Sequence, residues 1–223
     1  NDDGIYSPGL LALAKAAEPF GNVRVMAPDT ERSSTGHAIT SSKPLNFKKM
    51  KLGDFEAYRV DGTPADCVNL GCFYWNDIDV VLSGINLGPN LGNALWHSGT
   101  LAAAKQGTLL GKRAIALSTP SVEGKYHFSS IEPYVKKVLE LVLTETAPRL
   151  VNVNFPAFPK DMQWTKQSVR SYDGKVVAAK DPMGREHYWY TVIPIEETDE
   201  GTDRWAMERD IVSMTPLRLD LTD

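Results

Sequence analysis

Apolar positions recur along the chain in two alternating periods. Leu10, Leu13, Ala14 and Ala17 stand at helical spacing behind Ser7, a cap, and Pro8, a first-turn proline, and Gly21 closes the segment. Val23-Arg24-Val25-Met26-Ala27-Pro28 predicts a strand, and a polar loop rich in Ser, Thr and Gly occupies 29–37. Strands are expected near 45–50 and 55–60. Thr63-Pro64-Ala65-Asp66 is a helix start of the capping-box type, with a helix expected to about Tyr74. Asp79-Val80-Val81-Leu82-Ser83 predicts an apolar strand stopped by Gly84, and a glycine- and asparagine-rich loop follows over 84–93. Ser98-Gly99-Thr100 opens a helix reaching Leu110, whose Ala102, Ala103, Ala104 and Gly107 permit close packing on a sheet. A strand over 113–118 comes next. Ile131, Tyr134, Val135, Val138, Leu139 and Val142 then form a helical stripe. Leu150-Val151-Asn152-Val153-Asn154 predicts a further strand. Strands alternate with helices as far as Pro156, the pattern of a parallel sheet covered on both faces.

Beyond Pro156 the character changes. Residues 163–195 alternate, carry Trp164, Tyr172, Tyr188, Trp189 and Tyr190, and contain Asp-Gly and Met-Gly turn signals. Antiparallel hairpins are expected there. The chain divides accordingly into a core, 1–156, and an extension, 157–223, with a short helix at 202–207 and a returning strand at 211–217. An aromatic arm of this kind packs on a neighbouring subunit or on its own domain, and the sequence favours neither.

A chain of 223 residues can bury a large single core. Its formal net charge of -4, without a basic run, argues against binding duplex nucleic acid. A small phosphorylated substrate needs only a local site and stays open. Cys67 and Cys72 have no CxxC or HxxxH partner, so two reduced thiols in a cytoplasmic protein are expected. No apolar run approaches the ~20 residues of a membrane span, and no signal peptide is visible.

The chemistry starts at Asn1-Asp2-Asp3-Gly4. Two adjacent carboxylates ahead of a helix start suit a hard divalent cation, which takes oxygen ligands. Such a pair normally sits at the C-terminal end of a strand, so an apolar strand is expected ahead of Asn1. The loops at 1–4, 29–37, 84–93 and 96–100 fall at the ends of successive strands and can share one rim. Asp2 and Asp3 supply negative oxygens; Ser33, Asn86 and Asn90 supply neutral ones. Ser98, Gly99 and Thr100 offer hydroxyls and free N–H groups at a helix N-terminus, which suits a phosphate. A cation held there would polarise a phosphoryl group and activate water, which is phosphoester hydrolysis. Each part also has a plain alternative. Asp-Asp-Gly is an ordinary turn, Ser33 and Ser34 sit in a solvated loop, and Asn86 and Asn90 are acceptable turn residues. Ser98 is a helix cap, and His37 and His97 are ordinary structural histidines. Neither GxGxxG nor GxxxxGK[ST] occurs.

Taken together, Asn1-Asp2-Asp3-Gly4-Ile5, Ala27-Pro28-Asp29, Arg32-Ser33-Ser34-Thr35-Gly36-His37 and Gly62-Thr63-Pro64-Ala65-Asp66-Cys67 resemble the SurE family. So do Ser83-Gly84-Ile85-Asn86-Leu87-Gly88-Pro89-Asn90-Leu91-Gly92 and His97-Ser98-Gly99-Thr100. The similarity extends to Trp164-Thr165-Lys166-Gln167-Ser168 and Thr215-Pro216-Leu217. It implies a Rossmann-like three-layer α/β/α fold with a mostly parallel sheet and a C-terminal antiparallel hairpin arm. It implies a metal-dependent phosphatase acting on nucleoside 5'- and 3'-monophosphates, with one magnesium or manganese ion per subunit. By motif, the ligands would be Asp2, Asp3, Ser33 and Asn86, with Asp2 and Asp3 catalytic. The phosphate neighbourhood would be Asn90, Ser98, Gly99 and Thr100, with Thr35 and Gly36 near. Family members are dimers or tetramers that exchange a C-terminal arm, so a homodimer or homotetramer is expected. The rival from another class is a nucleotide-binding regulator without hydrolysis; a protein merely stabilised by calcium or magnesium is a third. Tyr172 or Trp189 is the candidate to stack on a base.

Overall fold

The computed structural model describes residues 1–169, 172–194, 198–220 and 222. Its elements, in chain order, are α1 (Pro8–Ala17), β1 (Val25–Pro28), β2 (Phe47–Leu52), β3 (Phe55–Val60), α2 (Pro64–Trp75), β4 (Val80–Leu87), α3 (Gly99–Leu109) and β5 (Arg113–Thr119). There follow α4 (Phe128–Val142), β6 (Leu150–Asn154), β7 (Asp161–Trp164), β8 (Tyr172–Lys180), β9 (Glu186–Pro194), α5 (Asp203–Met207) and β10 (Ile211–Pro216). Single 3-10 turns occupy Glu18–Phe20 and Gly92–Trp96.

The main sheet runs β4-β5-β6-β10-β7. Strands β4, β5 and β6 are mutually parallel, β10 returns antiparallel to β6, and β7 lies parallel to β10. A smaller sheet has the order β1-β3-β2, with β1 and β3 parallel. The alternation along β5 explains the layering. Ile115 and Leu117 point to one face and pack with Ile131, Val135, Val138 and Leu139 of α4; Ala114 and Ala116 point to the other and pack with Leu101 and Ala104 of α3. Large residues thus meet an ordinary amphipathic helix, and small ones meet a helix that approaches closely. At Gly107 a Cβ would lie 2.8 Å from Val81. The expected three-layer α/β arrangement with a mostly parallel sheet is therefore present.

Helix α1 joins the two sheets. Leu13, Ala16 and Ala17 pack on the main core, while Leu10 and Ala14 pack with Val25, Ala27 and Ala57 of the smaller sheet. Between β1 and β4 runs a cleft of about 650 Å³, lined by Leu10, Leu13, Val25, Val80 and Leu82, with Asn1 at its wall.

Several expected boundaries shift. Strand β1 starts at Val25, two residues late. Strand β4 continues through Gly84 to Leu87, with a register shift between Ser83 and Asn86. The glycine does not stop the strand. It lets β4 stay against β5, because a Cβ at Gly84 would meet the Leu117 carbonyl oxygen at 2.3 Å. Residues 163 and 164 belong to β7 in the main sheet rather than to a hairpin. The hairpin is β8–β9 alone, turning at Asp181–Gly184. The Asp173-Gly174 signal falls inside β8 opposite Val192. A Cβ there would strike the Tyr190 hydroxyl at 2.0 Å, so the glycine serves a close cross-strand approach, not a turn.

Candidate active site

The acidic loop is fixed from three sides. The Ile5 N–H donates to the Pro28 carbonyl (2.8 Å), the Arg32 N–H to the Asp2 carbonyl (2.7 Å), and the Asp3 N–H to Asn1 Oδ1 (2.9 Å). Gly4, at φ +86°, makes the turn beside Thr30, where a Cβ would come within 3.1 Å of backbone. Behind it, Gly9 in the first turn of α1 touches β4 directly: a Cβ would sit 2.0 Å from the Ile85 carbonyl oxygen.

Asp2 and Asp3 face different parts of the rim. Asp2 is buried, and its Oδ1 accepts a hydrogen bond from the Thr100 hydroxyl in the first turn of α3. Gly99 is pressed against the same side chain; a Cβ would lie 2.8 Å from Asp2 Cβ. Asp3 Oδ2 accepts from the Leu87 N–H at 3.0 Å, next to Asn86. Burial pushes the Asp3 carboxyl above the usual carboxylate range; the Leu87 hydrogen bond opposes this, and the neighbouring Asp2 charge adds to it, with Glu31 contributing less. Among the described residues no lysine, arginine or histidine side chain forms an ion pair with either carboxylate, and the amino group of Asn1 is the positive charge that acts on Asp3. The result is two adjacent acids, one buried and one half-buried, with no side-chain cation paired to them.

That arrangement fits a hard divalent cation. Among the described residues, no cluster of three or more His, Cys, Asp or Glu side chains is set to hold a metal. An acidic pair with neutral oxygens near it offers the all-oxygen chemistry that hard cations take. Asn86 gives its Nδ2 to the Gly88 carbonyl (2.7 Å), which reserves its oxygen for a ligand. Ser33 is exposed and donates to Glu31 Oε1 at 2.6 Å, leaving its lone pairs as acceptors.

At the start of α3, Ser98 is a cap in fact: its Oγ accepts from the Leu101 N–H (3.1 Å), and the first intrahelical bond is Ala102 N–H to the Ser98 carbonyl. The N–H groups of Gly99 and Thr100 precede that bond and have no partner within the helix ladder. Thr35 bonds locally to the Arg32 carbonyl (2.9 Å), and the Gly36 N–H reaches the His97 carbonyl (3.0 Å), tying the 32–37 loop to the α3 entrance. His37 pairs with Gln106 at 2.9 Å and Gln106 with Asn69 at 2.7 Å, a structural chain.

Asn90 is buried and held on four counts. Its N–H donates to Asn154 Oδ1 (2.7 Å) and its Nδ2 to Ser118 Oγ (2.8 Å), while its carbonyl accepts from Asn152 Nδ2 (2.8 Å) and Asn154 Nδ2 (3.0 Å). Sequence reasoning read Asn90 as a ligand residue and missed the asparagines that fix it. Their signal was visible: Asn152 and Asn154, two apart in an otherwise apolar strand, share one sheet face. Glu31 was also missed, since nothing in a polar loop marks one carboxylate as the neighbour of a remote Asp3. Trp189 is well exposed on β9 and stacks on no ring among the described residues; the Tyr172 side chain lies outside the described residues.

A parallel α/β sheet with an acidic doublet and a helix N-terminus meeting on its rim defines a class, the proteins that bring a cation and an anionic ligand together at the strand ends. The family model of survival protein SurE matches residues 1–174. A relative from Thermus thermophilus named 5'-nucleotidase SurE 1 is 46% identical, over 100% of this chain and 91% of its own length. One from Deinococcus radiodurans named 5'-nucleotidase SurE is 43% identical, over 100% and 86%. The crystal structure of the SurE protein from Aquifex aeolicus superposes with a TM-score of 0.87 at 40% identity, covering 100% of this chain and 93% of that one. The chain belongs to the SurE family.

Proposed function

We propose that this protein is a metal-dependent phosphomonoesterase that hydrolyses nucleoside 5'- and 3'-monophosphates to nucleoside and phosphate. Its relatives' names support the 5' activity. The observation that carries the reading is the acidic doublet, Asp2 buried and bonded to Thr100, Asp3 half-buried and bonded to the Leu87 N–H, with no side-chain cation paired to either among the described residues.

Asp2, Asp3, Ser33 and Asn86 would hold one magnesium or manganese ion. When bound, the ion supplies charge neutralisation for the phosphoryl group and activation of water. The chain's own residues do the rest. The Thr100 hydroxyl fixes the Asp2 carboxylate, so the acid cannot swing toward solvent. The Gly99 and Thr100 N–H groups receive phosphoryl oxygens, where the positive end of α3 favours the charge that builds up during transfer. Asn90, Ser98, Thr35 and Gly36 frame that pocket: Ser98 by capping the helix, Gly36 by tethering the neighbouring loop, and Thr35 and Asn90 by shaping the backbone around it. Water attacks phosphorus and the nucleoside oxygen leaves with the bridging pair of electrons.

The protein acts in the cytoplasm as a homodimer or homotetramer joined through the C-terminal arm, whose β9 exposes Tyr188, Trp189 and Tyr190. In the test, phosphate release from nucleoside 5'- and 3'-monophosphates is measured with manganese, magnesium or chelator. Asp2→Asn or Asp3→Asn is expected to lower kcat/KM by about 100-fold or more with an unchanged far-ultraviolet circular dichroism spectrum. Full turnover in either folded variant, or in chelator, overturns the assignment.

A further inference from the structure

Asp203 is fully buried, yet it does not belong to the rim. It lies in the first turn of α5, remote in sequence from the acidic doublet. Among the described residues its carboxylate accepts four hydrogen bonds. Oδ1 takes the Ser168 N–H (3.0 Å), the Ser168 hydroxyl (2.7 Å) and the Arg204 N–H (2.8 Å). Oδ2 takes the N–H of Gly92, at 2.8 Å. The carbonyl of the same Gly92 accepts from Gln167 Nε2 at 3.0 Å. Both polar groups of one residue in the loop after β4 are thus gripped by the C-terminal segment.

The grip is built from two chain legs locked together. The Lys166 N–H donates to the Gly201 carbonyl (2.9 Å) and the Asp203 N–H to the Lys166 carbonyl (2.8 Å), so 166–168 and 201–203 form one unit at the root of the β8–β9 hairpin. The loop has a second anchor two residues upstream, where Asn90 is held by Asn152, Asn154 and Ser118. Asn86 stands at the end of β4, and Gly88 lies between it and the anchors. Gly92 itself takes φ +51°, a conformation that needs support when the flanking chain carries ligands.

We propose that Asp203 is a positioning residue for the candidate active site, acting through Gly92 to hold the 86–92 loop and making the root of the hairpin arm a structural part of that site. The role of the loop rests on the functional reading above; the grip on Gly92 does not. A carboxylate suits the task because it is acceptor-only, and every group around it is a donor. Asparagine has nearly the same shape but turns one oxygen into a donor. Facing Gly92, its NH2 opposes an N–H; flipped, it opposes Ser168 and Arg204.

The experiment compares the full-length wild type with Asp203→Asn, Gln167→Ala and Ser168→Ala by hydrogen–deuterium exchange and by kinetics on a nucleoside monophosphate with manganese. Asp203→Asn is expected to speed exchange over 86–93 by about tenfold and to lower kcat/KM by about tenfold. Gln167→Ala is expected to do both to a smaller extent, and it carries the test should Asp203→Asn not fold. Ser168→Ala removes a donor from Oδ1 only. It is expected to lower Tm while exchange over 86–93 and the kinetic constants stay at wild-type values. Unchanged exchange over 86–93 in folded Asp203→Asn or in Gln167→Ala overturns the proposal. So does an equal effect from Ser168→Ala, which would mean a merely structural role. A wild type without phosphatase activity would refute the functional reading instead, and the exchange comparison would still decide the role of Asp203.

Discussion

The rim of the main sheet and the β8–β9 hairpin invert the usual distribution of residues in opposite senses. At the rim, polar side chains are inside: Asp2, Asn90, Ser98, Thr100, Ser118, Asn152 and Asn154 are all buried. On the hairpin, apolar ones are outside: Tyr188, Trp189 and Tyr190 are each about two-thirds exposed, and Val176 nearly as much. A scattered exposed leucine says little, whereas buried polar groups and contiguous exposed aromatics are the informative exceptions. The rim keeps its polar groups because most of them have a protein partner; the exceptions are the Asn152 Oδ1 and the Asp2–Asp3 pair, which no side-chain cation among the described residues balances. The hairpin holds its shape by its own ladder and turn, so its outer faces are free for another surface.

The contrast can be broken at the rim by adding one methyl group. Gly99→Ala places a Cβ 2.8 Å from Asp2 Cβ, in a spot walled by Pro64 as well. Either Asp2 or the start of α3 must move. A shift of this size in a positioned catalytic group is expected to lower kcat/KM by about 100-fold, checked by steady-state kinetics beside a Tm measurement. The hairpin sharpens the contrast from the other side. Trp189→Glu changes a residue that supports no core, so Tm of the fold and kcat per subunit are expected to stay near wild type. The elution volume on size exclusion is expected to move to a smaller species. Retention of the wild-type oligomer would remove the arm from the interface.

The smallest expected effect concerns the charge imbalance itself. The Asp3 pKa lies above its unfolded value, so its ionised form is disfavoured in the folded state. This penalty is absent well below the unfolded carboxylate pKa, grows as pH rises through the raised folded value, and is complete at neutral pH. In chelator at pH 7.5, Asp3→Asn is therefore expected to raise Tm by about 2 °C, a modest figure because the group is partly open to solvent. The gain should vanish near pH 3. A lower Tm for the variant at pH 7.5 would contradict the account of Asp3 as a charge disfavoured by burial.

Much of this was legible before any coordinates. Helix starts were marked by Ser7-Pro8, Thr63-Pro64 with Asp66, and Ser98-Gly99, and the strand–helix alternation to Pro156 implied the layered sheet. The expected approach of loops 1–4, 29–37, 84–93 and 96–100 is realised through the Asp2–Thr100, Asp3–Leu87, Arg32–Asp2 and Gly36–His97 hydrogen bonds. What could not be read were pairings fixed by tertiary approach. Gly84 looks like a stop, but it is a close contact with β5. Asp173-Gly174 looks like a turn, but it makes room for Tyr190. Asp203 looks like an ordinary residue behind a helix cap. Its burial depends on Gly92, 111 positions away in sequence, and no local period encodes that.

The contact of Gly9 with the Ile85 carbonyl has a consequence for what position 9 tolerates. The helix behind the acidic doublet rests on the strand that carries Asn86 through bare main chain, with no side chain between them to compress or swing aside. A larger residue there would wedge helix from strand, and the distance between the doublet and Asn86 would open with it.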